Sequence, residues 1–344
     1  MEPRFTFITS YKIDYSRSGV LLSYLSKKDL VAGVIKFNSW KSLFIFASQI
    51  LKANKKTDYY IIMNPSQYLT PVVRILTNKK IILDSGWPLT EKSRPIKIAL
   101  TEKVQRSKSW VIDFVSMHLA NLVLLESQLQ RERTSRRFKI SRNKLEVSLT
   151  GVDEEAFLLS AHGEKLPGEK FKVGFRGRYN LEAGLEVLAE TSLLCNDQYI
   201  SFLVLSPNIP NHIKFGENTD IKNKIFASKD KMADLLNLCD VLLGQLSDHP
   251  RLSVTIPHKA YEAAVMGKPY LTARATGIQE FLLEGVEAEY FAAGDPVDLL
   301  KKIEKLKADK EYRQLLGENI LKKYKEMASE EAIGNNFLKL LQIN

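Results

Sequence analysis

An α/β protein of two doubly wound domains is the fold class that this sequence predicts, on three observations. Short β-branched runs alternate with helical segments along the whole chain, the pattern of βαβ units and parallel sheets. At 344 residues the chain is too long for one ordinary core and suits two domains of roughly 150 residues or a little more. Around Asp153–Lys170 the texture changes: SAHGEKLPGEK carries Gly, Pro and charge without periodicity, as an interdomain linker does. The predicted organisation is a first domain over 1–157, a linker over 158–170 and a second domain over 171–327, followed by a terminal helix over 328–344.

In the first domain the β-branched and aliphatic runs predict strands at Phe5–Thr9, Leu30–Ile35, Tyr59–Met63, Lys80–Leu83, Leu122–Leu125 and Leu145–Leu149. Helical spacing occupies the stretches Ser42–Lys52, Gln67–Leu76 and Gln128–Phe138. The second domain opens with a strand at Phe171–Phe175, a turn and a helix from about Leu181 to Cys195. Further strands are expected at Tyr199–Leu205, Asp240–Gly244, Pro269–Thr272 and Ala288–Phe291, with helices at Lys229–Leu238, His258–Met266, Ile278–Glu284 and Pro296–Lys307. A long Lys/Glu/Leu-rich helical stretch, Lys310–Leu341, ends the chain, with one break near Ala328–Ser329. In such sheets the ligand lies beyond the carboxyl ends of the strands. Two such domains facing each other across a cleft would line it with strand-to-helix loops, so the residues just after each strand are the ones to read for chemistry.

Composition narrows the classes. Hydrophobic residues at 44% and charged residues at 26% are globular values. Cys195 and Cys239 each lie in an apolar stretch outside any CxxC or Cys/His pattern, as small fillers of a reduced, cytoplasmic protein. MEPRFTFITS reads as a strand that begins at once rather than as a signal peptide. The most apolar long stretch, Trp110 to Leu125, is broken by Asp113, His118 and Asn121 and does not read as a membrane span. Residues 1–150 hold 26 Lys and Arg against 11 Asp and Glu, whereas the remainder holds 24 against 29. The first half therefore suits an anionic partner: a phosphate-bearing acceptor, anionic lipid headgroups or nucleic acid. Nucleic acid is disfavoured because no interleaved aromatics or recognition motif accompany the charge.

Two motifs follow strands of the second domain. Gly174-Phe175-Arg176-Gly177-Arg178 combines a close-approach turn at Gly177 with Arg178, whose fork suits a diphosphate; a tight turn with a solvated arginine fits the same residues. In Thr255-Ile256-Pro257-His258-Lys259-Ala260-Tyr261-Glu262, Pro257 starts a helix whose free N–H groups can meet phosphate. Lys259 and Glu262 share one face three residues apart, giving a cation for the diphosphate and a carboxylate for ribose hydroxyls, or simply a surface ion pair. Near the N-terminus Ser18-Gly19 occupies the place of a phosphate-cradling loop, and Asp84 ends an apolar strand, as an acceptor-orienting or proton-transferring carboxylate or as a turn cap. The histidines are scattered without metal spacing, and no GxSxG or Walker A sequence occurs. Of two basic concentrations, Lys92–Lys108 leading into Trp110-Val111-Ile112, and Arg131–Lys144, the first resembles an amphipathic element for an anionic membrane surface, and either fits a solvated helix face.

Five segments in order resemble the retaining glycosyltransferases of the GT-B fold, family-4 type: KLEVSLTGVDEEAF, GFRGRYNLEAGLEVLAE, ADLLNLCDVLLGQL, IPHKAYEAAVMGKPYLTARATGIQEFL and AGDPVDLLKKIEKLKADKEYRQLLGENI. The resemblance implies two Rossmann-like domains, a nucleoside-diphosphate sugar as donor, metal-independent transfer with retention, and a hydroxyl acceptor, a glycan or lipid-linked glycan at the inner face of the membrane. It implies that Arg178 contacts the donor diphosphate and Glu262 the ribose, that Gly19 lies near the phosphates, and that Gly277 and Glu280 approach the donor. It also implies that the terminal helix returns to brace the first domain. The chain departs from the pattern at Val254, where the first glutamate of a paired motif is usual; at Ala183, where a lysine is usual; and at Asp84-Ser85, where a histidine is frequent. Lys259 is the candidate to supply the missing cation, alongside Asp84 and Arg178 as catalytic candidates. The rival readings are a sugar-nucleotide 2-epimerase of the same architecture and a non-catalytic sugar-nucleotide or polysaccharide-binding relative.

Overall fold

Strands form where the apolar runs are, because each is short, β-branched and bounded by turn residues. The computed structural model describes residues 2–13, 16–91, 100–158, 169–223 and 229–342. It divides into two compact units, Met1–Val152 with Glu330–Asn344, and Asp153–Ser329. The linker expected over 158–170 lies outside the described residues except at its two ends.

The N-terminal unit contains β1 (Phe5–Thr9), α1 (Ser16–Lys27), β2 (Val31–Lys36), α2 (Leu43–Ala53), β3 (Tyr59–Ile62), α3 (Thr70–Leu76), β4 (Lys80–Gly86), α4 (Leu100–Leu119), β5 (Leu122–Leu125), α5 (Gln128–Phe138) and β6 (Leu145–Val147). Its six strands form a parallel sheet in the order β2-β1-β3-β4-β5-β6. Two apolar layers cover it: Ile8, Phe46, Ile62, Val73, Leu83 and Val123 belong to one, and Phe5, Phe7, Leu21, Leu25, Ile61 and Ile82 to the other. Strand β1 is accordingly buried on both faces.

The C-terminal unit contains α6 (Glu154–Leu158), β7 (Phe171–Arg176), α7 (Leu185–Leu194), β8 (Ile200–Leu205), β9 (Thr219–Lys222), α8 (Lys229–Asn237), β10 (Val241–Leu243), α9 (His258–Val265), β11 (Tyr270–Ala273), α10 (Thr276–Gln279), β12 (Glu289–Phe291), α11 (Pro296–Ala308) and α12 (Lys310–Met327). Its parallel strands run β12-β11-β10-β7-β8-β9. From β7 the chain winds outward through β8 to β9, then returns to β10 on the other side and winds out to β12. The boundary between β7 and β10 is thus a topological switch point, where the loops diverge and leave a crevice. Strand β9 escapes the sequence pattern because Thr-Asp-Ile-Lys is polar and sits at the sheet edge, partly exposed.

After the break at Ala328–Ser329 the chain enters α13 (Glu330–Leu340), which belongs to the N-terminal unit and packs on α1. The approach is close enough to require glycine: a Cβ on Gly334 would stand 2.2 Å from the Tyr24 ring. Ser23 Oγ donates to Glu330 at 2.9 Å, Lys27 pairs with Glu330 at 2.7 Å, and Tyr24 OH donates to Asn335. Among the described residues no helix is long and apolar enough to cross a membrane.

Candidate functional site

The switch point of the C-terminal unit gathers the polar side chains. Strand β7 ends at Arg176, and the turn residue Gly177 donates its N–H to Leu205 at the end of β8 (3.0 Å). Helix α9 points its start at the same place. Pro257 is its N-cap, extended at φ −64° and ψ 137°, and His258 is the first helical residue. Pro257 has no N–H to lose, and the first N–H groups after it, on His258 and Lys259, form the positive end of the helix.

Lys259, the second residue of α9, is buried. Its ammonium donates to the Gly244 carbonyl at 3.0 Å, sits 4.0 Å from the centre of the Phe175 ring, and lies 3.3 Å from where a Cβ on Gly177 would stand. Burial, then the charge of Arg176, push its pKa down to about 7, although Glu262 and Glu182 pull it partly back. Glu262, one further turn along and three residues from Lys259, is 1% exposed. Its Oε1 accepts from Arg176 Nη2 at 2.5 Å and lies 3.0 Å from His258 Nδ1. Burial alone would raise this carboxyl, but Arg176, then His258 and Lys259, outweigh it and hold the pKa below the usual carboxylate range. Glu262 is therefore a carboxylate with a fixed orientation.

Its second oxygen is unspent. Glu262 Oε2 is buried without a hydrogen-bond partner, as are Gln245 Oε1, just beyond β10, and Ser206 Oγ, just beyond β8. An unpaired buried carboxylate oxygen is costly. Two of these orphaned atoms follow the strands that flank β7 and the third is on α9, and together they mark a place where a ligand's hydroxyl or N–H groups belong.

Two further contacts fix the walls. Arg251 Nη1 donates to both carboxylate oxygens of Glu182, 2.7 Å to each, and Ser247 Oγ donates to the Glu182 carbonyl at 3.0 Å. These tie the loop after β7 to the loop after β10. Ala183 and Val254, the two departures from the family pattern, are both buried apolar residues, so no side chain at either position brings charge to the crevice.

The structure brings Gly177, Pro257, Lys259 and Glu262 together, with Arg178 exposed at the turn beside them. Gly277 is placed for another reason: a Cβ there would lie 2.4 Å from Thr255 N and 2.6 Å from the Leu252 carbonyl, so glycine permits two backbone segments to touch. Glu280 caps the short helix α10 and is half-buried. Arg176 and His258, which hold Glu262, were not among the expected residues. The spacing of His258 to Glu262, four residues on a helix, was readable; the pairing of Arg176 across 86 positions was not.

In the N-terminal unit two expectations are corrected. Gly19 is the fourth residue of α1, not part of a loop before it. Asp84 does not stand ready for proton transfer. It is fully buried, ion-paired with the equally buried Arg17, and accepts from Ser18 Oγ and from the Gly86 N–H at 3.1 Å. Arg17 in turn donates to the carbonyls of Leu125 (2.9 Å), Leu124 (3.2 Å) and Ser148. The pair pins the start of α1 to the ends of β4 and β5.

The basic concentrations also resolve differently from one another. Residues 92–99 lie outside the described residues. In 131–144, Arg133 and Arg137 pair with the buried Glu91 at 3.1 and 3.5 Å, so part of that charge is internal. No group of His, Cys, Asp and Glu that could hold a metal occurs among the described residues.

Residues 192–332 match a family model described as glycosyl transferase-like. No curated protein sequence matches the chain. Among solved structures, Anabaena HepE in complex with UDP-glucose is similar at a TM-score of 0.73 and 13% identity, covering 98% of this chain and 99% of that one. Sucrose-phosphate synthase from Thermosynechococcus elongatus is similar at 0.71 and 14%, covering 99% and 98%. A putative UDP-N-acetylglucosamine 2-epimerase from Listeria monocytogenes is more distant, at 0.57 and 9%, covering 99% and 96%. At these identities the likeness concerns the fold: the chain has the two-domain α/β GT-B architecture.

Proposed function

We propose that this chain is a glycosyltransferase that takes a sugar from a nucleoside-diphosphate sugar held in the crevice between β7 and β10, and passes it to a hydroxyl acceptor. The observation that carries the reading is Glu262: a buried, oriented carboxylate with one oxygen held by Arg176 and His258 and the other unspent. The glycosyl transferase-like match over residues 192–332 includes Pro257, Lys259 and Glu262 but begins after the Arg176–Arg178 turn, and the Anabaena and Thermosynechococcus structures of the same architecture act on or bind sugar substrates by their names.

In this reading Glu262 Oε2 accepts hydrogen bonds from the donor ribose. The diphosphate lies over Gly177, against the N–H groups at the start of α9, with Arg178 at the rim and the Lys259 ammonium beneath the turn. As the glycosidic bond breaks, its electron pair leaves with the diphosphate, the acceptor oxygen bonds to the anomeric carbon, and the acceptor's proton passes to the departing diphosphate. Preorganised N–H groups and cations facing that oxygen stabilise the growing charge without reorganising. Protein cations then do the neutralisation, so the transfer is metal-independent, and it proceeds with retention. The N-terminal unit, rich in positive charge, recognises the acceptor, a glycan or lipid-linked glycan, and the protein works in the cytoplasm.

The test is incubation of the purified protein with labelled UDP-, GDP- and ADP-sugars, followed by product analysis. Slow release of free sugar, or transfer to added glycan, lost in Glu262→Gln, is the expected outcome. Isomerised donor without acceptor would instead make the chain an epimerase. A second reading is favoured by the apolar Ala183 and Val254: donor binding without turnover, which the same assay separates because binding persists while neither product forms.

A further inference from the structure

Helix α2 of the N-terminal unit faces outward with the wrong residues for a solvated helix. Its inner face is built from Phe46 and Ile50, which are buried in the core. On its outer side Phe44 is 88% exposed, Ile45 64% and Leu51 54%, and Trp40, one turn before Phe44, is 59% exposed. Scattered apolar residues on a surface mean nothing, but large ones gathered within three turns of one helix mark a contact surface. The patch extends sideways: the end of α3 lies beside the end of α2, where Asn54 Nδ2 donates to the Leu76 carbonyl at 3.0 Å, and Ile75 there is 84% exposed.

Between Asp29 and Asp58 the charges of this segment are of one sign. From Leu30 to Thr57 the chain holds five lysines, Lys36, Lys41, Lys52, Lys55 and Lys56, and no Asp or Glu. All five are exposed, and among the described residues none is in an ion pair. By contrast, the arginines of α5 are partly spent on Glu91 and Glu146.

We infer that this face of α2 docks on an anionic lipid bilayer. Phe44, Ile45, Leu51 and the Trp40 indole would enter the boundary between headgroups and acyl chains, while the lysines at both ends of the helix meet the anionic headgroups. Large apolar side chains flanked in sequence by lysine, with no acidic residue from 30 to 57, are the complement of that two-layered surface. With no helix able to span a membrane among the described residues, attachment would be lateral. The inference does not rest on the catalytic reading, since it concerns only α2 and its neighbours.

Co-sedimentation with sucrose-loaded vesicles tests it, comparing phosphatidylcholine alone with phosphatidylcholine containing about one-third phosphatidylglycerol. Wild type should pellet with the anionic vesicles and stay largely in solution with the neutral ones, and added salt should release it. The double variant Phe44→Ser/Ile45→Ser, and separately Lys52→Glu/Lys55→Glu, should each lower the partition coefficient about ten-fold or more. Both touch exposed positions, so their thermal unfolding should match wild type. Equal binding to both vesicle types, or undiminished binding by the variants, would overturn the proposal. So would a failure to pellet together with a concentration-dependent dimer lost in Phe44→Ser/Ile45→Ser, which would assign the face to a second copy of the chain.

Discussion

Two buried carboxylates bound to arginine, Asp84 in the N-terminal unit and Glu262 in the C-terminal unit, have opposite characters. Asp84 and Arg17 are both about 1% exposed in their side chains, and both Asp84 oxygens are taken. Glu262 is as deeply buried, but its arginine, Arg176, remains 25% exposed, and one oxygen is left over. Burial and ion pairing alone therefore do not distinguish a functional carboxylate from a structural one. What separates them is the unspent lone pair, and its place at the switch point of a sheet.

The contrast can be broken most forcefully in the N-terminal unit. Arg17→Ala leaves Asp84 buried and uncompensated, which costs about 3–5 kcal/mol; urea unfolding should reveal that loss. If Arg17→Ala unfolds like wild type, the pair is not the clamp described here. Glu262→Gln should do the reverse. It preserves the shape and keeps an acceptor oxygen, so unfolding should change little, while nucleotide affinity falls by about ten- to a hundred-fold, the worth of hydrogen bonds to a charged group.

A pH effect of intermediate size should belong to Lys259. Its pKa in the free protein is pushed down to about 7, and a diphosphate nearby favours the charged form. Donor affinity should therefore strengthen as pH falls toward 7, level off below it, and weaken as pH rises and the free protein loses the proton. Calorimetry in buffers of different ionisation enthalpy should detect proton uptake on binding above pH 7. In Lys259→Arg, which stays charged, the uptake should vanish; an unchanged uptake would place the titrating group elsewhere.

The smallest effect is expected from Arg176→Lys. A lysine keeps the charge but loses the planar fork, so donor affinity should fall by less than about ten-fold, and less than in Arg176→Met. Equal losses in the two variants would mean that charge plays no part in orienting Glu262.

Most strands were legible because their apolar runs are short and sharply bounded; β1, β7 and β8 coincide with such runs almost residue for residue. The polar edge strand β9 carried no such signal. Half of the site was legible too: Pro257, Lys259 and Glu262 are adjacent in sequence, and helical spacing put two of them on one face. The Arg176–Glu262 pair depends on β7 and α9 being brought together by the sheet, which no local pattern reports. Asp84 misled for the same reason. A carboxylate at a strand end looks available until the fold supplies Arg17 from 67 positions away.

The most direct measurement is isothermal titration of UDP, GDP and ADP into wild type and Glu262→Gln. The account predicts that one nucleotide binds wild type and that its affinity drops by at least about ten-fold in the variant, with thermal unfolding of the unliganded proteins unchanged. Equal affinity in both proteins, or no binding by any of the three, would contradict the assignment of Glu262 as the group that receives the donor.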